Sequence, residues 1–371
     1  MKPTKFSCTN TAHQQFGVAV KKNVYNYFKE NNISTKGDTG LIVKSLIMLA
    51  LYIVPFVCIL TVPMDGWLAL ALTVIMGIGL SGIGMGVMHD AVHGSYSEKE
   101  WLNKWMGNTI YLLGDNVFNW KIQHNVLHHT YTSVDGLDED IADKGVIRLS
   151  QYSPLRKIHY YQHIHSFFFY GLMTISKFVK GFGQLVRYNR VGYMEKYNIN
   201  PVAEMATMIA VKSVYLFCCI VLPVLISGFA VWQTVLGFLS MHFVAGLIMS
   251  VVFQLAHIVE GTEEEGLPED GLIENNWAVH ELLTTSDFAP HNRFLTWYAG
   301  GLNFQVEHHL FPSICHIHYP KIAPIVEQTA KEYGIPYLVQ PTFGQALASH
   351  IRKLKELGQT KKVEVELAMA S

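Results

Sequence analysis

Charge is scarce in this chain. Only 15% of its 371 residues are Asp, Glu, Lys or Arg, and half are hydrophobic; soluble domains carry about a quarter charged residues. A freely soluble globular domain is therefore excluded as the default, and a bilayer protein is expected. The formal net charge of −1 removes any ground for nucleic acid or a strongly charged surface as partner. Cysteine is also sparse: Cys8, Cys58, Cys218, Cys219 and Cys315 are five, an odd number with no CxxC pair. That excludes a disulfide framework and a structural zinc site. Cys218 and Cys219 lie in an apolar run and read as small buried hydrophobes. No short apolar core with a small-residue cleavage site follows the polar first forty residues, so a secretory signal peptide is not expected. Internal repeats and low-complexity segments are missing too.

Long apolar runs are abundant. A span needs about 20 apolar residues, and four stretches qualify: 41–62, 67–88, 205–229 and 231–259. They form two hairpins with very short turns, at PMDG (63–66) and around SGFAV (227–231). Neither turn holds Lys or Arg, so the positive-inside rule puts both turns outside and the remaining chain in the cytoplasm. A shorter apolar run at 167–175, bounded by His165, Lys177 and Lys180, suits a helix lying in the interface, and Trp101–Trp120 has the same character. The expected architecture is an all-α integral membrane protein. Its two hairpins carry interfacial helices and a cytoplasmic helical cap. The expected segments are a cytoplasmic N-terminal stretch (1–40), the membrane domain (41–340) and a cytoplasmic tail (341–371).

The eighteen histidines are unevenly placed. HDAVH sets His89 and His93 one helical turn apart, where the second span ends. HNVLHH adds His124, His128 and His129, and QVEHH adds Gln305, His308 and His309. His257 lies near the cytoplasmic end of the fourth span. All four features fall on one membrane face. Neutral imidazole suits zinc, copper, iron or nickel rather than calcium or magnesium. Eight histidines and a glutamine are too many for one metal and right for two. Asp90, Asp138 and Asp140 read as acceptors for the free N–H groups of ligating histidines. A dinuclear nitrogen-rich site at a membrane surface suits oxidation of an unactivated C–H bond, which iron with O₂ can perform and a side-chain acid or base cannot. An acyl chain, lacking polar handles, would lie in an apolar channel beside the metals.

HDAVH, HNVLHHTYTSVDGLDED and QVEHHLFP resemble the three histidine boxes of the membrane fatty acid desaturases, over roughly residues 40–340. The third box, opening with Gln305, is similar to the front-end (Δ6-type) branch. The resemblance implies four transmembrane helices under a cytoplasmic cap, with a non-haem di-iron centre. It implies an enzyme that uses O₂ and two electrons to insert a cis double bond into an acyl chain carried on CoA or on a lipid. By position, His89, His93, His124, His128, His129, His308 and His309 would be iron ligands, with His257 as the extra ligand from the fourth span and Gln305 at a ligand position. The family's fused cytochrome b5 motif, HPGG, does not occur, so electrons are expected from a separate ferredoxin or cytochrome b5. The His124–His128 spacing, the longer of two found in the family, looks like that of bacterial acyl-lipid members. It points to a bacterial inner membrane rather than endoplasmic reticulum, with the active site on the cytoplasmic face.

Remaining features read more plainly. His316, His318 and His280 are expected as packing or as support for the ligands. His159, His163 and His165 are expected to face headgroups, and GTEEEG (261–266) to be a solvated loop with a possible second role in docking an electron donor. The glycines at 77, 79, 82, 84 and 86 allow close approach of a helix or an acyl chain. The rivals are a membrane lipid hydroxylase or alkane monooxygenase on the same metal scaffold, and a metal transporter. The transporter would need ionisable groups lining a mid-bilayer path, where only His242 and His257 occur.

Overall fold

A computed structural model describes residues 4–360. Four helices are long and apolar enough to cross a membrane: Thr39–Thr61, Gly66–Val92, Pro201–Ser227 and Val231–His257. At 1.5 Å per residue the shortest reaches about 35 Å, enough for a hydrocarbon core of about 30 Å. Their starts are set by local chemistry. Asp38 and Asp65 accept from the first free backbone N–H groups of the first two spans, and Asn200 does so for the third, where Pro201 fits the first turn.

Glycine lets the second span pack between the first and the fourth. A Cβ on Gly79 would fall 2.8 Å from the Leu51 backbone, and one on Gly77 would fall 2.6 Å from the Met241 carbonyl oxygen. Between helices in lipid such contacts replace the hydrophobic effect as the cohesive term. Two spans also carry buried lysines. Lys212 donates to the Phe178 carbonyl at 2.6 Å and rests over the Phe178 and Phe182 rings, while Lys44 reaches His316. Three segments wind more loosely than an α-helix, with i→i+5 bonding: Gly84–Met88, Lys121–His128 and Phe217–Val221. The last stands just before Pro223, whose missing N–H a wider turn accommodates.

The 94–200 segment holds Glu100–Gly107, which exposes Trp101 and Trp105, and the helices Gln162–Gly171 and Met173–Arg190. Gln162–Gly171 packs on the fourth span, where a Cβ on Gly246 would fall 2.6 Å from the Gly171 carbonyl oxygen. His159 does not face headgroups. It is fully buried, accepting from Arg156 N through Nδ1 and contacting the Gly145 carbonyl through Nε2. His165 Nε2 likewise meets the Val146 carbonyl. The backbone at 145–146 folds back over the helix.

The residues around the histidines pack among further helices. Thr11–Glu30 buries Phe16, Val20, Val24 and Phe28, a stripe at four-residue spacing, against Ile322, Val326 and Ala330 of Tyr319–Glu332. The N-terminal stretch thus shares a core with the third box, whose Val306 and Leu310 join the same cluster. Phe343–Gln359 is a helix whose C-terminal end is closed by the fully buried Arg148, which donates to the carbonyls of Leu357 and Thr360 at 2.6 and 2.8 Å. The rest of the expected tail, 361–371, lies outside the described residues.

Candidate metal centre

Each box is delivered by a different local device. His89 and His93 close the second span directly after its loose turn, and Gly94, at φ 72°, ends the helix. His124, His128 and His129 ride on the loose turn Lys121–His128, in which His129 N bonds to the His124 carbonyl at 3.0 Å. That i→i+5 winding brings positions 124, 128 and 129 to one side. The third box, Gln305–Leu310, follows Gly300 and Gly301, both at positive φ. Asp287 Oδ1 accepts from Val306 N at 3.0 Å, capping the short helix.

Together these devices gather all nine expected residues. His89, His93, His124 and His308 form one cluster, and His128, His257 and His309 a second. His124 Nε2 lies 3.1 Å from His89 Nε2 and 3.2 Å from His129 Nε2. The His129 ring sits between the clusters, its centroid 4.6 Å from His308 and 4.5 Å from His309. The Gln305 amide lies 3.0 Å from His257 Nε2 and 3.4 Å from His309 Nε2. All nine side chains are buried except His93, which is partly so.

Several polar atoms in this dry space have no partner: Nε2 of His93, His128 and His308, and Oε1 of Gln305. Buried polar groups are normally satisfied, so convergent orphan nitrogens fit a cation. The ring atoms facing away are held. His128 Nδ1 donates to Asp138 at 3.0 Å and His309 Nδ1 to Glu281 at 2.7 Å, and His308 Nδ1 lies 3.2 Å from the Tyr319 hydroxyl. Fixing the proton on Nδ1 leaves Nε2 as the donor atom for a metal.

Electrostatics follows from burial. Desolvation first, then mutual repulsion among imidazoles, holds His93, His124, His129, His308 and His309 well below the usual histidine range. They are therefore neutral and ligand-competent. His128 differs: burial lowers its affinity for a proton, but the Asp138 carboxylate and its hydrogen bond, with Asp140, lift it to about 9. Burial pushes Glu281 up to about 8, against the hydrogen bond from Thr132. Asp138 and Glu281 thus stand behind the rings, and a metal cation taking the place of the proton on His128 would satisfy that negative charge.

Among the supporting residues, the expectation for Asp90 needs correction, that for Asp140 is met only at the edge of hydrogen-bonding reach, and His280 packs as expected. Asp90 touches none of the box histidines; its Oδ2 accepts from His316 Nδ1 at 2.6 Å and from Cys315 Sγ at 3.0 Å. Successive helix residues point about 100° apart, so adjacency to His89 turns Asp90 away. His280 contacts the Thr132 carbonyl at 2.7 Å rather than a ligand. Asp140 stands 3.5 Å from His128 Nδ1 and chiefly accepts from Gln123 Nε2 at 2.6 Å.

Sequence reading missed Glu281, Tyr319, Asp287, Glu307 and Tyr337. The Tyr337 hydroxyl lies 2.7 Å from Asp287 and 2.9 Å from Glu307, bridging the two. Burial raises Asp287 to about 6 and Glu307 well above its ordinary range. A lone carboxylate in the apolar run WAVHELL was the one available hint for Glu281. Two aromatic walls were also missed: Trp120, 4.3 Å from the His124 ring, and Phe253, one turn deeper in the fourth span and 4.7 Å from the His257 ring.

Comparison with known proteins agrees with this geometry. Residues 65–341 match the family model for fatty acid desaturases. An sn-1 linoleoyl-lipid 6-desaturase from Arthrospira platensis is 34% identical over 358 residues, covering 94% of this chain and 95% of the relative. A protein of the same name from Synechocystis sp. is 32% identical, covering 94% and 97%. An acyl-lipid (8-3)-desaturase from Physcomitrium patens is 34% identical, covering 94% of this chain and 72% of its own length.

Proposed function

The chain belongs to the fatty acid desaturase family, and from that premise we propose the make-up of its metal centre, its substrate and its electron supply. It is a membrane oxidoreductase that desaturates fatty acyl chains. Two non-haem irons are held at the paired clusters. His89, His93, His124, His129 and His308 hold one; His128, His257, His309 and Gln305 hold the other. The observation that carries this is the convergence of eight imidazoles, with orphan Nε2 atoms aimed at shared space. Amide nitrogen and oxygen exchange places by a half-turn of the side chain, so Gln305 would present Oε1 to the second cluster.

Bound iron with O₂ supplies the oxidant for C–H cleavage. The balanced reaction takes one hydrogen from each of two adjacent methylenes, with O₂, two electrons and two protons, to give a cis double bond and two waters. The protein's own part is orientation and exclusion of water. Asp138 and Glu281 hold two imidazoles in the ligating tautomer, Tyr319 lies against a third, and Trp120 and Phe253 wall the site with apolar surface for an acyl chain. His128, protonated near neutral pH in the metal-free chain, must release that proton on loading.

The names of the Arthrospira and Synechocystis relatives support an acyl chain carried on a glycerolipid, with the new bond toward its carboxyl end. A separate ferredoxin or cytochrome b5 supplies electrons at the cytoplasmic face of a bacterial inner membrane. The test is expression in a host of known lipid composition, with iron and a competent donor, followed by mass spectrometry of the lipids. A new double bond without added oxygen is expected; an unchanged profile overturns the reading, and an oxygenated product replaces it with hydroxylation.

A further inference from the structure

A buried polar cluster that the box histidines do not use lies against the second span. Lys44, in the first span, is 2% exposed, and its Nζ lies 2.9 Å from His316 Nε2. His316 Nδ1 lies 2.6 Å from Asp90 Oδ2, where Cys315 Sγ also donates at 3.0 Å. Asp90 and His316 are 2% and 4% exposed. An ammonium only donates, so Nε2 of His316 accepts and Nδ1 carries its proton toward the carboxylate. The polarity of the chain is thereby fixed: cation, neutral imidazole, anion. Room for it is built in, because a Cβ on Gly86, in the loose turn before His89, would stand 2.5 Å from Lys44 Nζ.

We propose that Lys44, His316 and Asp90 form a buried ionic bridge that balances the charge behind the first histidine pair and ties the first span to the metal centre. Asp90 is covalently next to His89, so its carboxylate is a fixed negative charge beside that pair. Lys44 offsets it across one imidazole, and these are positioning residues rather than ligands. The bridge also joins three distant segments: residue 44, the 89–93 helix and the loop after the third box. Isolated charges do not persist in such a dry setting.

Two measurements test this. The first uses metal-free protein in detergent and is independent of the iron assignment: thermal unfolding of Lys44→Met, Asp90→Asn and the double variant. Each single variant strands one buried charge and should melt several degrees lower, while the double variant should recover most of the larger loss. Simple addition of the two losses overturns the bridge. The second rests on the di-iron reading and titrates the midpoint potential of loaded protein. Lys44→Met leaves an unbalanced anion, favours the oxidised metals and shifts the potential down; Asp90→Asn shifts it up; Lys44→Arg keeps it. A purely structural role would move both neutralising variants in the same direction, and shifts of equal sign, or none, overturn the charge-balancing role. Should Lys44→Met fail to fold, Lys44→Gln against Lys44→Arg makes the same comparison.

Discussion

Glu281→Gln separates stability from metal binding, because the carboxylate helps one and harms the other. In the native chain Glu281 is fully buried and accepts from His309 Nδ1 at 2.7 Å and from Thr132 Oγ1 at 2.8 Å. Glutamine keeps the shape and one acceptor oxygen but loses the charge. Hydrogen bonds to an ionised acceptor are roughly twice as strong as neutral ones, whose net worth is about 1 kcal/mol. Weakening the bond that orients His309 should therefore lose about 1–1.5 kcal/mol of metal affinity, close to tenfold, at the low end of the range for such outer partners. The metal-free chain should respond oppositely. Its folded Glu281 titrates near 8, raised from 4.5 by burial, so the unfolded state gives up its proton first. Wild-type stability then falls as pH rises from about 4.5 to 8, by at most about 5 kcal/mol. Glu281→Gln removes that fall. The assay is iron affinity by chelator competition beside denaturant unfolding of metal-free protein at pH 5 and pH 8. Unchanged affinity, or a metal-free variant less stable than wild type at pH 8, refutes the reasoning.

Further expectations can be checked separately. His128→Ala and His308→Ala should each abolish double-bond formation and lower bound metal, while His13→Ala does neither; lipid profiles and metal analysis decide. Arg148→Met should leave the carbonyls of Leu357 and Thr360 unpaired and destabilise the packing there by about 2–5 kcal/mol, read as early proteolysis of the Phe343–Gln359 helix. Burial lowers His350 to about 4, against the opposing pull of its bond to the Ile258 carbonyl, so the folded chain holds it neutral. Acidification from about 6.5 to 4 should thus remove up to about 3 kcal/mol, a slope that His350→Gln flattens in pH-dependent unfolding.

What the one-dimensional pattern could carry was periodicity and composition. The four spans and the histidine boxes are local signals, and the apolar runs end within a few residues of the helices that form. Partnerships made across the fold were not legible. Glu281 meets a ring twenty-eight positions away, and Lys44 meets His316 across 272. Asp90 misled because neighbours in sequence suggest shared targets, whereas a helix sends them to different faces. His159 looked interfacial beside Tyr160 and Tyr161, yet a single 3₁₀ turn buries it while both tyrosines stay exposed.

The loose winding at 121–128 makes the spelling of the second box negotiable. A regular helix aligns residues three and four apart; this one aligns residues four and five apart. Losing one residue between His124 and His128, with a return to regular winding, would bring the same three rings back to the same spot. The chain can therefore gain or shed a residue here without dismantling what the rings surround, a tolerance that a rigid α-helical frame would not grant.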